Sequence, residues 1–399
     1  MRIEMENERL TAYPEGRIDS ANAQELQREL SEAVEKNEDK VLEIDARGLE
    51  YISSAGLRVL LYFTKKQNGS LTVKNVSPEI YEILEMTGFT GLLNVKKRMR
   101  EFSVEGCPVV GRGAVGTVYR LDEDTIVKVY EIPDSLPMIE NEQRRAKQAF
   151  LKGIPTAISY DVVKVGEKYG SVFEMLKATT YNDVLIEHPE RREETVRRYA
   201  GFIRSLHSVE MEPGELPEAR DVFLKYIEEL KDILPLRPAG RLRELLEAMP
   251  ENLHVIHGDI QMKNVMLSGD EPLLIDMDTL SVGDPVFDLM GLYVTYMLFC
   301  EDEPDNTEKF LGIPADTCEQ IWKDFLRFYF EDFSENARKE AEKKIVIVAR
   351  VRFLYLTAVM NIGKTELRSL RIRHSLENLE EYLPEVDSLE LGTLWRTGK

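Results

Sequence analysis

Cysteine is scarce: Cys107, Cys300 and Cys318 are the only three in 399 residues, odd in number and far apart. They supply neither a disulfide framework nor a zinc pattern, which predicts idle thiols in a reducing compartment. Positive charge is also in deficit. Fifty-two Lys and Arg stand against 72 Asp and Glu, a formal net charge of −20. No broad basic field is available, so nucleic acid and anionic membrane surfaces are not expected partners. Long apolar runs are missing too. The longest uncharged stretch, LMGLYVTYMLFC (289–300), is too short to span a bilayer and predicts a buried helix. The opening MRIEMENERL carries charges where a secretory signal needs an apolar run, so the expected location is the cytoplasm. Internal repeats and low-complexity segments are absent.

What is present is an ordinary globular balance, 43% hydrophobic and 31% charged, on a chain long enough for two or three domains. Residues 1–97 alternate short strands and helices. VLEID (41–45) and LTVKNV (71–76) predict strands, AGLRVLLYFTKKQ (55–67) carries apolar residues at helical spacing, and SPEIYEILEMTGF (77–89) predicts a helix with Pro in its first turn. This alternation predicts a small α/β domain. The basic stretch VKKRMREF (95–102) predicts the domain boundary, as a solvated linker or helix end, with a docking surface for an acidic partner as the sharper alternative. Residues 104–178 are β-rich with one helix, IENEQRRAKQAFLKG (139–153), and 179–399 are dominated by helical periodicity. EDEPDNTE (301–308) predicts an acidic loop.

The segment VVGRGAVGTVYRL places Gly111, Gly113 and Gly116 in the order G-x-G-x-x-G before Val118, between two strand-like runs. Alone, such glycines mark no more than a tight hairpin. Twelve residues beyond Gly116, TIVKVY sets Lys128 among apolar neighbours. A buried ammonium there needs a carboxylate, and the following helix offers Glu142 or Glu140. Farther on, HVIHGDIQMKNVM places Asp259 and Asn264 at D-x-x-x-x-N spacing, and LLIDMD ends an apolar strand at Asp276. Phosphoryl transfer asks a protein for one carboxylate to orient the attacking hydroxyl and for hard oxygen ligands to hold magnesium. Asp259 suits the first role, Asn264 and Asp276 the second, and Lys128 suits a clamp on ATP phosphates.

In this order and spacing the region 104–399 resembles the aminoglycoside phosphotransferase and choline kinase-like branch of the protein-kinase fold. The residues that carry the resemblance are GRGAVGTV, Lys128, VIHGDIQMKNVM, LLIDMD and VGDPVFDL. It implies a bilobal domain, a β-rich lobe (104–178) followed by a helical lobe (179–399). It implies that FEML (173–176), with Glu174 and Leu176, is the hinge reading adenine through backbone groups. It also implies that Asp288 braces the catalytic loop, with His257 supporting the loop backbone. Met277-Asp278 stands where protein kinases have Phe-Gly, a departure common in the small-molecule branch. His207, on an apolar helix face, is expected as a hydrogen-bonded core residue. The acceptor is open: Tyr293, Tyr296, Trp322, Phe325 and Tyr329 could form a cage for a choline-like cation or pack as ordinary core, and 301–308 could attract a polycation or merely be solvated.

Residues 1–97 carry a second resemblance. VLEIDARGLEYISSAGLRVLL and EGRIDSANAQELQREL look like the STAS domain of anti-sigma factor antagonists. The resemblance implies that a serine at this helix start is phosphorylated by a partner kinase, and Ser54 falls on that position. Ser53 replaces an acidic residue often found before it, and Ala55 stands where another serine is common. A phosphate there would add about −1.5 to −2 charges next to a helix N-terminus that tolerates them. The expected architecture is thus two domains, α/β and α+β: a STAS-like sandwich, then a kinase-like domain. The expected function is an ATP- and magnesium-dependent phosphotransferase acting on a hydroxyl-bearing small molecule, with the first domain for regulation or partner binding. A kinase acting on a STAS serine and a nucleotide-binding sensor are the alternatives.

Overall fold

The structure, a computed structural model, describes residues 1–391 apart from positions 7, 38, 68, 70 and 114. They fall into two compact units, Met1–Ser103 with Val162–Glu167, and Val104–Asp161 with the described chain from Lys168 onward.

In the first unit, β1 (Arg2–Glu6), β2 (Arg9–Tyr13), β3 (Glu15–Ile18), α1 (Ala23–Glu35), β4 (Val41–Asp45), β5 (Gly48–Ile52), α2 (Ser54–Lys66), β6 (Thr72–Val76), α3 (Pro78–Met86) and β7 (Asn94–Lys97) follow one another. The main sheet has the order β1-β2-β4-β6-β7, antiparallel at its first pair and parallel after it, with β3 and β5 paired separately. Parallel neighbours need crossovers, and the helices supply them. Leu42 and Ile44 of β4 pack with Phe63 and Leu60 of α2 in one apolar core. Two serines set helix starts: Ser53 accepts from the Ala55 amide at 3.2 Å and Ser77 from the Ile80 amide at 3.4 Å. Gly56 is demanded by packing, because a Cβ would come within 2.7 Å of the Ile18 and Ile52 side chains. The basic stretch is not a plain linker. Its first residues belong to β7, and Arg100–Glu101 pairs in parallel with Val163–Lys164.

The second unit opens on an antiparallel sheet. Strands Lys168–Glu174, Thr125–Tyr130, Gly116–Arg120 and Val109–Arg112 lie side by side in that order. Helix α4 (Leu136–Leu151) starts three residues before the sequence spacing predicts, because Pro137 fits the first turn, where its missing N–H costs nothing. The helical part contains α5 (Tyr181–Glu187), α6 (Arg192–Leu206), α7 (Ala219–Glu229), α8 (Leu236–Glu247), α9 (Val286–Tyr293), α10 (Phe299–Asp302), α11 (Asn306–Leu311), α12 (Ala315–Tyr329), α13 (Glu335–Ala358) and α14 (Arg368–Tyr382). A π-helical turn, Val294–Leu298, joins α9 to α10, so the uncharged stretch 289–300 is one helical run whose residues are buried or half-buried. The acidic loop shrinks to 303–305, since its flanks belong to α10 and α11. Among the described residues no helix is long and apolar enough to cross a membrane.

Candidate active site

The glycine-rich segment is a hairpin. Gly113 N–H donates to the Gly116 carbonyl at 2.9 Å, and Val118 stands opposite Gly111 on one side and Lys128 on the other. At Gly116 a Cβ would collide with the Val129 carbonyl, so the next strand excludes a side chain there. Glu174 ends its strand exposed. The following Met175 N–H donates to the Asp124 carbonyl at 2.7 Å, and Leu176 is half-buried.

Lys128 does not snorkel to an edge. Its Nζ lies 3.4 Å from Glu142 Oε1 and 2.5 Å from Asp276 Oδ1. Burial alone would lower the ammonium's pKa, but the charges of Asp276 and Glu142 outweigh it and hold the group protonated well above its usual range. Glu142 is buried on α4, whereas Glu140 points to solvent, which separates the two rivals. Tyr130 O–H donates to the second Glu142 oxygen at 2.7 Å.

Asp259 lies in the segment before a short 3-10 turn, Met262–Asn264. Its Oδ2 accepts from Gln261 Nε2 at 3.1 Å and from Asn264 Nδ2 at 3.0 Å; Asn264 Nδ2 also donates to the Asp259 carbonyl at 2.9 Å. Both Asn264 bonds engage its amide nitrogen, so its side-chain oxygen, the atom a cation would take, lies outside them. Asp276 sits in left-handed backbone, φ 58°, between the strand Glu271–Leu274 and the turn Met277–Thr279. Its side chain is 44% exposed. Strain of this kind persists where the surroundings fix it. Oxygen donors from Asn264 and Asp276 fit a hard cation such as magnesium.

The two loops are stitched together. His257 Nε2 is 2.9 Å from the Ile275 carbonyl, and Thr279 Oγ1 donates to the His257 carbonyl at 2.8 Å. Gly258 has φ +84° with its missing Cβ 2.6 Å from the Thr279 carbonyl oxygen, so only glycine fits. Beneath them Asp288 is fully buried in α9 and accepts from the His257 amide at 2.8 Å and the Gly258 amide at 2.6 Å. His207, also fully buried, contacts Asp288 Oδ2 at 2.8 Å through Nε2 and the Tyr329 hydroxyl at 2.7 Å through Nδ1.

Sequence reasoning missed two residues here. Arg145, one turn beyond Glu142 on α4, donates to the Asp278 carbonyl and so ties the helix to the turn that follows Asp276. Its spacing of three from Glu142 was the available signal. Asp278 has its pKa pushed up to about 6, first by burial and then by the charges of Glu142 and Asp276.

Asp284 opens the turn into α9 and is the second buried carboxyl of VGDPVFDL. Its oxygens accept from the Val286 amide at 2.9 Å and the Leu391 amide at 3.2 Å, yet burial pushes its pKa up to about 7. The unfolded value is near 4, so the folded state holds the proton more tightly, and stability falls as pH rises from about 4 to 7. In Asp284→Asn this fall should flatten. The drop in thermal midpoint between pH 5 and pH 8 is expected to be smaller in the variant than in the parent, and an unchanged drop would rule Asp284 out as its source.

The five aromatic residues of the helical part pack largely on one another, and of the five only Tyr293 and Trp322 line a surface cavity, beside Glu319 and Glu342. Tyr293 meets Trp322 edge-on at 5.2 Å, Trp322 stacks on Phe325 at 6.2 Å and Phe325 on Tyr329 at 5.4 Å, while Tyr296 is buried. The acidic side chains of 301–308 are largely spent on internal cations: Glu301 on Arg350, Glu303 on Lys364 and Arg371, and Asp305 on Lys309. Ser54 is exposed at the first turn of α2.

Comparison with known proteins finds relatives for both parts of the chain. Residues 8–94 match the model of the Mlab-type STAS domain. A Bordetella bronchiseptica protein assigned as anti-sigma factor antagonist BtrV is 39% identical over 89 residues, 22% of this chain and 76% of that protein. Solved structures similar to the chain include a thermostable mutant of aminoglycoside phosphotransferase APH(4)-Ia, 12% identical over 70% of this chain and 94% of that one, with a TM-score of 0.48. A choline/ethanolamine kinase family protein from Mesorhizobium loti is 20% identical over 70% and 88% of the two chains, with a TM-score of 0.44. Residues 107–311 match the model of the phosphotransferase enzyme family, APH. The chain therefore belongs to the phosphotransferase enzyme family and carries at its N-terminus a STAS domain of the anti-sigma factor antagonist kind.

Proposed function

We propose that residues 104–399 form an ATP- and magnesium-dependent phosphotransferase that moves the γ-phosphoryl group to a hydroxyl, and that residues 1–97 form a regulatory or partner-binding module. The observation that carries the reading is the convergence on Lys128: one carboxylate from α4 and one from a loop 148 positions away meet the same ammonium. Such an arrangement has no need to exist for packing alone, since burying an ion pair rarely adds net stability. In this reading Gly111, Gly113, Gly116 and Val118 cover the nucleotide, and Glu174 and Leu176 flank its base. Lys128, held by Glu142, clamps the phosphates. Asn264 and Asp276 hold magnesium, which neutralises developing charge on the phosphates. Asp259 orients the acceptor hydroxyl, while His257 and Asp288 keep the loop in place.

The test is calorimetric titration of the full chain with ATP and magnesium, followed by ATP consumption across hydroxylated amines, sugars and peptides. Micromolar uptake that needs magnesium and is lost in Asp276→Ala is expected. Absence of any nucleotide uptake would remove the proposal. A second reading, transfer to a STAS serine, is favoured by one observation, the exposed Ser54 at a helix start in the same chain. Label from γ-phosphate on the parent that vanishes in Ser54→Ala would select it, and a chain that stays unlabelled while consuming ATP with an added acceptor would select the small molecule.

A further inference from the structure

A second cluster of ligating side chains lies where α10 meets α14. Glu301 and Asp302 end α10, and His374 stands in the second turn of α14. One ligand atom from each lies within 4.8 Å of the other two. Asp302 is the informative member. Its side chain is 1% exposed, and among the described residues its Oδ2 has no hydrogen-bond partner. His374 Nδ1 faces Asp302 Oδ1 at 2.9 Å, an ion-pair contact that makes no directed hydrogen bond. A buried carboxylate oxygen without a hydrogen bond is costly in an interior that normally pairs nearly every polar atom.

The surrounding cations do not resolve this. Arg350, itself buried, takes both oxygens of Glu301 at 2.6 and 2.9 Å, and Lys364, Lys309 and Arg371 are directed to Glu303. Of these cations only Arg350 meets the cluster, at Glu301, while Asp302 faces His374. Arg350 also does for Glu301 what outer hydrogen bonds do for metal-ligating carboxylates: it fixes the plane and leaves the remaining lone pairs free.

We propose that Glu301, Asp302 and His374 bind a divalent cation of the zinc class, joining α10 to α14. One imidazole and two carboxylates are a borderline-to-hard donor set, suited to zinc, cobalt or manganese. Metal–donor bonds of about 2.0–2.2 Å to atoms 2.9 Å apart subtend about a right angle. This fits one edge of a site completed by water. The site deepens nothing in the phosphotransfer reading and stands or falls separately from it.

The test uses the full chain, stripped with chelator and titrated with Co2+ in the absence of nucleotide, in an Asp276→Asn background that removes the carboxylate proposed for magnesium. One Co2+ per chain with a visible d–d absorption band, displaced by Zn2+, is expected. A rise in thermal midpoint on adding Zn2+ should accompany it. Asp302→Asn and His374→Gln should each abolish the band and the rise. In the parent background the same two variants should still bind magnesium and nucleotide. If His374→Gln fails to fold, Glu301→Gln, at the more exposed edge of the cluster, carries the same expectation. No band in the parent, or a band that survives in the variants, overturns the proposal.

Discussion

Asp259→Asn should lower kcat by about three orders of magnitude, within the 10²- to 10⁴-fold range typical of a positioned base, while the nucleotide dissociation constant stays within about twofold. The substitution is nearly isosteric, and the carboxylate's Oδ2 accepts two hydrogen bonds, from Gln261 and Asn264. An amide oxygen at the same place can accept both. What changes is the other atom, which becomes an NH2 donor facing the acceptor hydroxyl instead of an oxygen that accepts its proton. Binding, magnesium affinity and thermal midpoint should therefore hold while turnover goes, the pattern of an interaction made only in the transition state. Turnover that survives in a chain still folded and nucleotide-bound would place the orienting group elsewhere.

Much of this site was legible because its chemistry is written in residue types at fixed spacing. Lys128, Asp259, Asn264 and Asp276 stand out as a set, and the structure brings Lys128 to Asp276 and Asp259 to Asn264. Long-range pairing was not legible. Sequence spacing left Glu140 and Glu142 undecided, since they differ by less than one helical turn, and only the packing of α4 separates them. The Arg145 bond to the Asp278 carbonyl spans 133 positions and ends on a backbone atom, which no side-chain pattern encodes. The same blindness explains the basic stretch 95–102. Charge composition argued for a solvated linker, whereas Val95 packs on the apolar core and β-pairing takes up both ends of the run. In the acidic segment 301–308, open in sequence to a polycation or to solvent, Glu301, Glu303 and Asp305 are met by cations of α11, α13, α14 and by Lys364, up to about seventy positions away, pairings that no local pattern encodes.

The second large effect is expected at Asp288, and it should be read in stability first. The carboxylate is fully buried and holds the His257 and Gly258 amides together with His207. In Asp288→Ala all three lose their acceptor at once, and breaking a buried charged network by deleting one partner costs about 3–5 kcal/mol. Burial by itself would raise the pKa of Asp288, but the hydrogen bond from His207, the charges of His207 and His257 and the His257 amide outweigh it and hold the carboxyl below its usual range. A depressed carboxylate stabilises the fold above its unfolded pKa of about 3.9, and that contribution is lost as pH falls through the folded value. The stability gap between parent and Asp288→Ala in urea should thus be full at pH 7 and narrow below about pH 4. Turnover should fall as well, because the backbone carrying Asp259 loses its support one residue upstream. Asp288→Asn sharpens the reading: it keeps the volume but turns one oxygen into a donor, against the Gly258 N–H at Oδ1 or against the His257 N–H and His207 at Oδ2, so it should recover only a minor part of the loss. An Asn variant as stable and active as the parent would mean that the catalytic loop holds its shape without this carboxylate.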